Sequence, residues 1–205
     1  KIYVKSLDGN TTYFTADQVV DYKKDKINKT IQYFSPDQKL AQKETSTTDL
    51  ESLVLDTYHF ENHELGAVIE INTTDGFAQT SVIEKKGDTA KTGKYKWTPK
   101  MITSSVMQYS IDKNWDKLIK GESLEYDILV ATKYRVVAFK LSKVSEKDGL
   151  VNLRLEPDSW FIRQFVSPLD FYYKDKKLMS MVGRTTIPIK GNGDKVVRLE
   201  FEYPK

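Results

Sequence analysis

The sequence predicts a mainly β protein: a single curved antiparallel sheet or half-barrel that carries one long helix and one short apolar helix. Three observations lead to this prediction. Apolar and polar residues alternate with a period of two over much of the chain, which is the pattern of strands with one buried face. Turn sequences such as TTDG, EKDG and GNGD separate many of the alternating stretches. Two stretches break the alternation, and both have the composition and spacing of helices.

The alternating stretches predict the strands. In LEYDILV, Leu124, Tyr126 and Ile128 share one face and acidic residues occupy the other. The same pattern predicts strands over Thr30–Phe34, Tyr58–Leu65, Ala67–Thr73, Phe77–Lys85, Leu124–Val130, Tyr134–Val144, Leu150–Glu156, Leu169–Lys174, Leu178–Ile187 and Val196–Tyr203. About ten strands with short connections favour a meander that curls or closes to protect its edges. The polar stretch 42–52 predicts a mobile loop.

The first exception to the alternation runs from Thr103 to Lys120. Met107, Ile111 and Trp115 recur there at helical spacing, and Gly121 stands where a helix would end. These features predict the long helix. Its apolar stripe is expected to face the concave side of the sheet.

The second exception runs from Trp160 to Val166 between two prolines. Proline limits a helix at both ends, so about two turns are expected. With Trp160, Phe161 and Phe165, the segment is apolar around most of its circumference, which predicts burial on more than one side. Two interpretations remain open: a plug in the core, or a lid over an apolar ligand cavity.

Composition limits the classes of function. The 205 residues are 39% hydrophobic and 30% charged, which suits one folded domain over 1–205. The net charge of +3 comes from interleaved charges and does not favour nucleic acid as a partner. No apolar run is long enough for a transmembrane segment. The absence of cysteine excludes disulfides, thiolate catalysis and sulfur-ligated metals.

Catalytic and metal-binding signatures are weak. His59 and His63 are the two histidines of the chain, and in the strand predicted there they would lie about 13 Å apart, too far to share one ion. There is no G-x-S-x-G motif, and GNGD lacks the third glycine of a phosphate-binding loop. Tyr95 and Trp97 among lysines are typical of an alternating strand as well as of base stacking. We therefore expect no enzyme activity, no metal and no cofactor.

Several motifs follow one another in the second half of the chain: WDKLIKGE, then EPDSW, an apolar helix and a proline-led strand. Their order resembles a family of uncharacterised exported proteins from Gram-negative bacteria, over Trp115 to Tyr203. The matching positions are Trp115, Asp116, Leu118, Gly121, Glu122, Glu156, Pro157, Ser159, Trp160, Pro168 and Leu169. The resemblance implies a periplasmic location and a signal segment upstream of Lys1, and it implies no activity. A more distant similarity to periplasmic lipoprotein carriers implies a half-barrel that encloses acyl chains under helical lids.

These observations predict a non-enzymatic periplasmic binding or carrier protein for an apolar or lipidic ligand. The predicted ligand-binding residues are Met107, Ile111, Trp115, Trp160, Phe161 and Phe165. Two alternatives stay open. One is an envelope structural or interaction module with a solid core and an envelope protein as partner. The other is a hydrolase whose site has no recognisable motif.

Overall fold

The computed structural model describes residues 1–164, 166–184 and 196–204. Fifteen strands in these ranges form one sheet. The strands are β1 (Ile2–Lys5), β2 (Thr12–Lys23), β3 (Lys26–Phe34), β4 (Leu40–Asp49), β5 (Leu55–Asn62), β6 (Ala67–Thr74), β7 (Phe77–Ile83), β8 (Lys91–Lys96), β9 (Met101–Ile102), β10 (Leu124–Val130), β11 (Arg135–Lys147), β12 (Leu150–Pro157), β13 (Leu169–Lys174), β14 (Lys177–Arg184) and β15 (Val196–Phe201). The helices are α1 (Met107–Lys113), α2 (Trp115–Ile119) and α3 (Trp160–Arg163), with 3₁₀ helices at Ser104–Val106 and Ala131–Lys133.

The predicted strands are confirmed over the described residues, because each coincides with an observed strand apart from a few residues at the ends. Residues 185–187 of the predicted strand Leu178–Ile187 lie outside the described residues. The alternation works as expected in β12, where Val151, Leu153 and Leu155 are buried and the residues between them are partly exposed. Two of the predicted turns are also confirmed. In EKDG, Asp148 and Gly149 both have positive φ, as a tight hairpin turn between twisted strands requires. The GNGD turn at 191–194 lies outside the described residues.

Strand pairing follows the chain. Each strand pairs antiparallel with its neighbours in sequence, except that β9 lies parallel to β10 and β1 pairs with β15. β8 and β9 therefore occupy opposite edges of the sheet, although only residues 97–100 connect them. Such a link spans at most about 17 Å, whereas a flat sheet of this many strands would be about 67 Å wide. The sheet must curl until its edges approach each other.

The two edges meet through side chains. Leu129 and Ala131, at the end of β10, pack in one buried cluster with Leu55, Ala78 and Val82 from β5 and β7. Among the described strands no ladder joins β8 to β9. The predicted curved antiparallel sheet is thus observed in an unclosed form.

The largest apolar core lies between the helical segment and one half of the sheet. Met107, Ile111 and Trp115 are buried there against β10 to β14. Trp115 packs on Tyr173 with 5.1 Å between the ring centroids. The predicted apolar stripe is therefore confirmed as the side of the helical segment that contacts the sheet.

The helix predicted from Thr103 to Lys120 is interrupted. α1 ends at Lys113, and Asn114 leaves the helical region with φ −112° and ψ 14°. The Asn114 side-chain amide donates a hydrogen bond to the Ser110 carbonyl oxygen at 2.9 Å, and such side-chain bonds compete with the helical backbone. No helix in the described ranges has the length and apolar character needed to cross a membrane.

The loop predicted over 42–52 is wrong, because most of it is strand β4. Gln42, Ser46 and Thr48 point to the inside of the sheet and are buried. A strand whose inward residues are polar lacks the alternation of apolar and polar residues by which strands are predicted. Strands β1, β2 and β9 were not predicted either.

The predicted burial of the short apolar helix is also wrong. α3 spans only Trp160–Arg163, and Trp160 is 71% and Phe161 58% exposed. Its polar residue holds it in place: Arg163 Nε donates to the Pro157 carbonyl oxygen at 2.6 Å, and its guanidinium lies 3.1 Å from Glu156. The aromatic side chains Trp160 and Phe161 are therefore largely exposed and are not buried on several sides.

Candidate functional site

A cavity of about 360 Å³ lies where the two halves of the sheet meet the start of the helical segment. It is lined on the inner face by residues of β1 to β4 and of β10 to β15, and by the 3₁₀ helix and α1. Its volume falls in the range of roughly 300–1,000 Å³ that is usual for small-molecule sites. We therefore take it as the candidate binding site.

One wall of the cavity is apolar. It consists of inward side chains of β12 to β15, namely Leu155, Leu169, Phe171, Leu178, Leu199 and Phe201. Gly183 permits this packing, because a Cβ atom there would lie 2.0 Å from Leu169 Cδ2. The wall offers an apolar ligand a continuous surface and few polar partners.

The opposite wall carries most of the polar side chains of the lining. Gln18, Lys29 and Glu44 line it from β2, β3 and β4, together with Ser105 from the 3₁₀ helix. Lys29 Nζ donates a hydrogen bond to the Ser105 carbonyl oxygen at 3.2 Å. Burial lowers the pKa of Lys29, and the negative charge of Glu44 partly opposes that shift. A charged group thus faces a largely apolar cavity.

Glu44 is held by neighbours in the wall. It accepts hydrogen bonds from Gln42 Nε2 at 2.8 Å and from the Tyr58 hydroxyl at 3.4 Å. Burial raises the pKa of Glu44, and Lys29 and these hydrogen bonds only partly offset the effect. Burial also raises the pKa of Tyr33 and of Tyr58 well above the usual value, so both remain neutral hydroxyls.

The predicted site residues do not come together. Met107 lines the cavity, whereas Ile111 and Trp115 belong to the apolar core. Trp160 and Phe161 are largely exposed and do not line it. Phe165 lies outside the described residues, and the role of all six in ligand binding stays a prediction.

Sequence reasoning missed the polar wall. The signal for it was present in β3, where Ile27, Lys29, Ile31 and Tyr33 share one face. A lysine at an inward position between buried residues is unusual, and it identifies a polar group inside the sheet.

The histidines lie on another part of the sheet. His59 Nε2 is 2.8 Å from Glu61 Oε1, and His59 Nδ1 is 3.5 Å from Glu70. His63 lies 4.0 Å from Glu61. In the part of the chain that the structure describes, no group of three or more His, Cys, Asp or Glu residues is arranged to hold a metal ion.

Comparison with known proteins does not assign the chain to a family. No family model matches the chain, and no curated protein matches it. One similar solved structure is a β-barrel-like protein of the domain of unknown function DUF1849 from Brucella abortus, with 10% identity and a TM-score of 0.47. The match covers 98% of this chain and 96% of that chain. A function has to be inferred from the residues of this chain.

Proposed function

We propose that the protein is a non-enzymatic binding or carrier protein that holds an apolar or lipidic molecule in the cavity. The observation that carries this proposal is the cavity of about 360 Å³ with one continuous apolar wall. Sites that recognise small molecules are mostly apolar, with a few polar groups that fix orientation. The polar wall around Lys29 and Glu44 provides such groups.

Burial of a single alkyl chain in the cavity would be enough for weak binding. Each buried methylene contributes about 0.8 kcal/mol, so roughly ten methylenes contribute about 8 kcal/mol. This gain exceeds the lower end of the association cost, which is about 4 to 15 kcal/mol. The surplus of at most about 4 kcal/mol corresponds to roughly millimolar binding by the chain alone, and weak binding is consistent with a carrier that must also release its ligand.

The resemblance of residues 115–203 to exported proteins of Gram-negative bacteria supports a periplasmic location for this activity. Cell fractionation of the native host tests the location, with the protein expected in the periplasmic fraction. Recovery in the cytosol would contradict the location and would leave the binding proposal intact.

Ligand binding is tested with purified protein. Native mass spectrometry should detect co-purified lipid, and the neutral fluorophore N-phenyl-1-naphthylamine should bind with saturable enhancement of its emission. Leu199→Trp places a large ring in the cavity wall and should abolish that binding. Val19→Trp adds the same ring at an exposed position, 63% accessible, and serves as the control. Absence of both lipid and saturable binding would reject the carrier proposal.

A second candidate function is an envelope interaction module. The observation in its favour is the exposed aromatic pair of α3, Trp160 and Phe161, with ring centroids 6.2 Å apart. Exposed aromatic side chains are typical of contact surfaces. Replacement of both by Ser should release the protein from an envelope complex if this function holds, and should leave fluorophore binding unchanged.

A further inference from the structure

We propose that Lys29 binds an anionic head group, so that the ligand is a single-chain amphiphile with a carboxylate at one end. This inference rests on the proposed function, because it specifies the chemistry of a ligand in the same cavity. It divides the ligand between the two walls, with the tail against β12 to β15 and the head at β3.

Lys29 occupies an inward position in the sheet. Lys29 lies on the inner face of β3 between the buried residues Ile27 and Ile31. The Lys29 side chain is half-buried, and it contributes to the cavity lining. An ammonium group at this place points into the space that a ligand would fill.

The ammonium group of Lys29 has more donor hydrogens than acceptors around it in the described residues. Lys29 Nζ has three donor hydrogens, and in the described residues it has one acceptor, the Ser105 carbonyl oxygen. No carboxylate oxygen of the described residues lies within the 4.0 Å that defines an ion pair. Two hydrogens of the ammonium group therefore remain for a ligand.

Burying the Lys29 ammonium group has a free-energy cost. A cation removed from water without a close partner lowers the stability of the protein. An anion that enters the cavity would offset this cost and would form a charge-assisted hydrogen bond. Arg184, at the end of β14, also lines the cavity.

The same wall also carries an acid, Glu44. Glu44 already accepts one hydrogen bond at each carboxylate oxygen, from Gln42 and from Tyr58. Its burial disfavours the ionised form, which weakens its repulsion of a second anion. The wall therefore favours an anionic head group over a cationic one.

The test compares three ligands of equal chain length: dodecanoate, 1-dodecanol and dodecylamine. Each is titrated at pH 7.5 against N-phenyl-1-naphthylamine bound to the full chain. Dodecanoate should displace the fluorophore at a concentration at least about tenfold lower than dodecanol, since one charge-assisted hydrogen bond in a partly buried site supplies at least that factor.

Variants assign the preference to the lysine. Lys29→Met should weaken the binding of dodecanoate by about tenfold or more and leave the binding of dodecanol unchanged. Lys143→Met is the matched control, because Lys143 Nζ also donates to a backbone carbonyl oxygen, that of Ile119 at 2.6 Å, and does not line the cavity. Lys29→Arg should keep the preference for dodecanoate.

The outcomes separate the two proposals. If none of the three ligands displaces the fluorophore, the proposed function fails. If dodecanol binds as tightly as dodecanoate, if dodecylamine binds most tightly, or if Lys29→Met keeps the preference, the head-group inference fails and the carrier function stands. Should Lys29→Met prove unfolded by circular dichroism, Glu44→Gln decides: it should tighten dodecanoate binding, and a weaker affinity would overturn the inference.

Discussion

The two halves of the sheet use the same strand pattern and fill their inner faces differently. In β10 to β15, every described residue that is both in a strand and buried is apolar, aromatic or proline, and α1 and α2 pack on them. In β4 to β7, Gln42, Ser46, Thr48, Asn62 and Thr80 are buried as well. One half is a solid core, and the other carries buried polar groups.

This difference explains where the cavity lies. The helical segment covers the apolar half and fills it with Met107, Ile111 and Trp115. Lys29 and Glu44 lie on the opposite wall and prevent it from collapsing onto the apolar one, because burying a charge without water or a partner is costly. The apolar core is therefore concentrated in one half, and the proposed binding site lies at its boundary with the other.

The largest effect is expected from removing a ring in the solid half. Trp115→Ala should lower the free energy of unfolding by about 3–5 kcal/mol, since it deletes a buried ring that packs on Tyr173. Trp160→Ala, at a site that is 71% exposed, should change it by less than about 0.5 kcal/mol. Urea unfolding measures both. Equal effects of the two substitutions would contradict the assignment of the core.

Adding a methyl group to the apolar wall should have a smaller effect. Gly183→Ala should cost about 1–3 kcal/mol, because the new Cβ atom would overlap Leu169. Met179→Ala, at an exposed position of the same strand, is the control and should be nearly neutral. Thermal unfolding of both variants tests this wall, and a stable Gly183→Ala protein would show that the wall is loosely packed.

In the polar half, removing a hydroxyl should stabilise the protein. Thr48 is 1% exposed and its Oγ1 has no hydrogen-bond partner in the described residues. Thr48→Val should therefore raise the free energy of unfolding by about 1 kcal/mol. Thr47→Val is the matched control, since Thr47 Oγ1 donates to Asn28 Oδ1 at 3.0 Å, and it should give no gain. A destabilised Thr48→Val protein would mean that water satisfies this hydroxyl.

The smallest effect is a change with pH at the cavity. The pKa of Glu44 is raised in the folded protein, so its contribution to stability is complete below the unfolded value near 4.5 and is lost as pH rises through the folded value. The stability of Glu44→Gln relative to the wild type should therefore increase as the pH rises from 4 to 7. Urea unfolding at both pH values measures the difference.

A control with the opposite sign is available on the surface. Lys100 lowers the pKa of Glu125 through a hydrogen bond and its positive charge, so the stability from this carboxylate is present above 4.5 and lost as pH falls. Glu125→Gln should lose stability relative to the wild type as pH rises. The same direction for both variants would contradict the burial of Glu44.

The sequence predicted the apolar half better than the polar half, for a physical reason. Strands such as β12 and the stripe of Met107, Ile111 and Trp115 follow directly from the spacing of apolar residues. Burial of polar residues depends on neighbours that are distant in sequence. The polar sequence of β4 therefore predicted a loop. The exposure of Trp160 could not be predicted either, because α3 is held by the bonds of Arg163 to β12.

The pairing of β1 with β15 has a consequence for folding. In the described residues every other ladder joins strands that are consecutive along the chain, whereas Ile2 pairs with Phe201. Local hairpins form quickly, and contacts between distant residues wait for closure of a long loop. We therefore expect two meanders to assemble first and this ladder to join them late. Ile2, Leu199 and Phe201 all line the cavity, so we expect the cavity to take its final shape only after this slowest contact of the fold has formed.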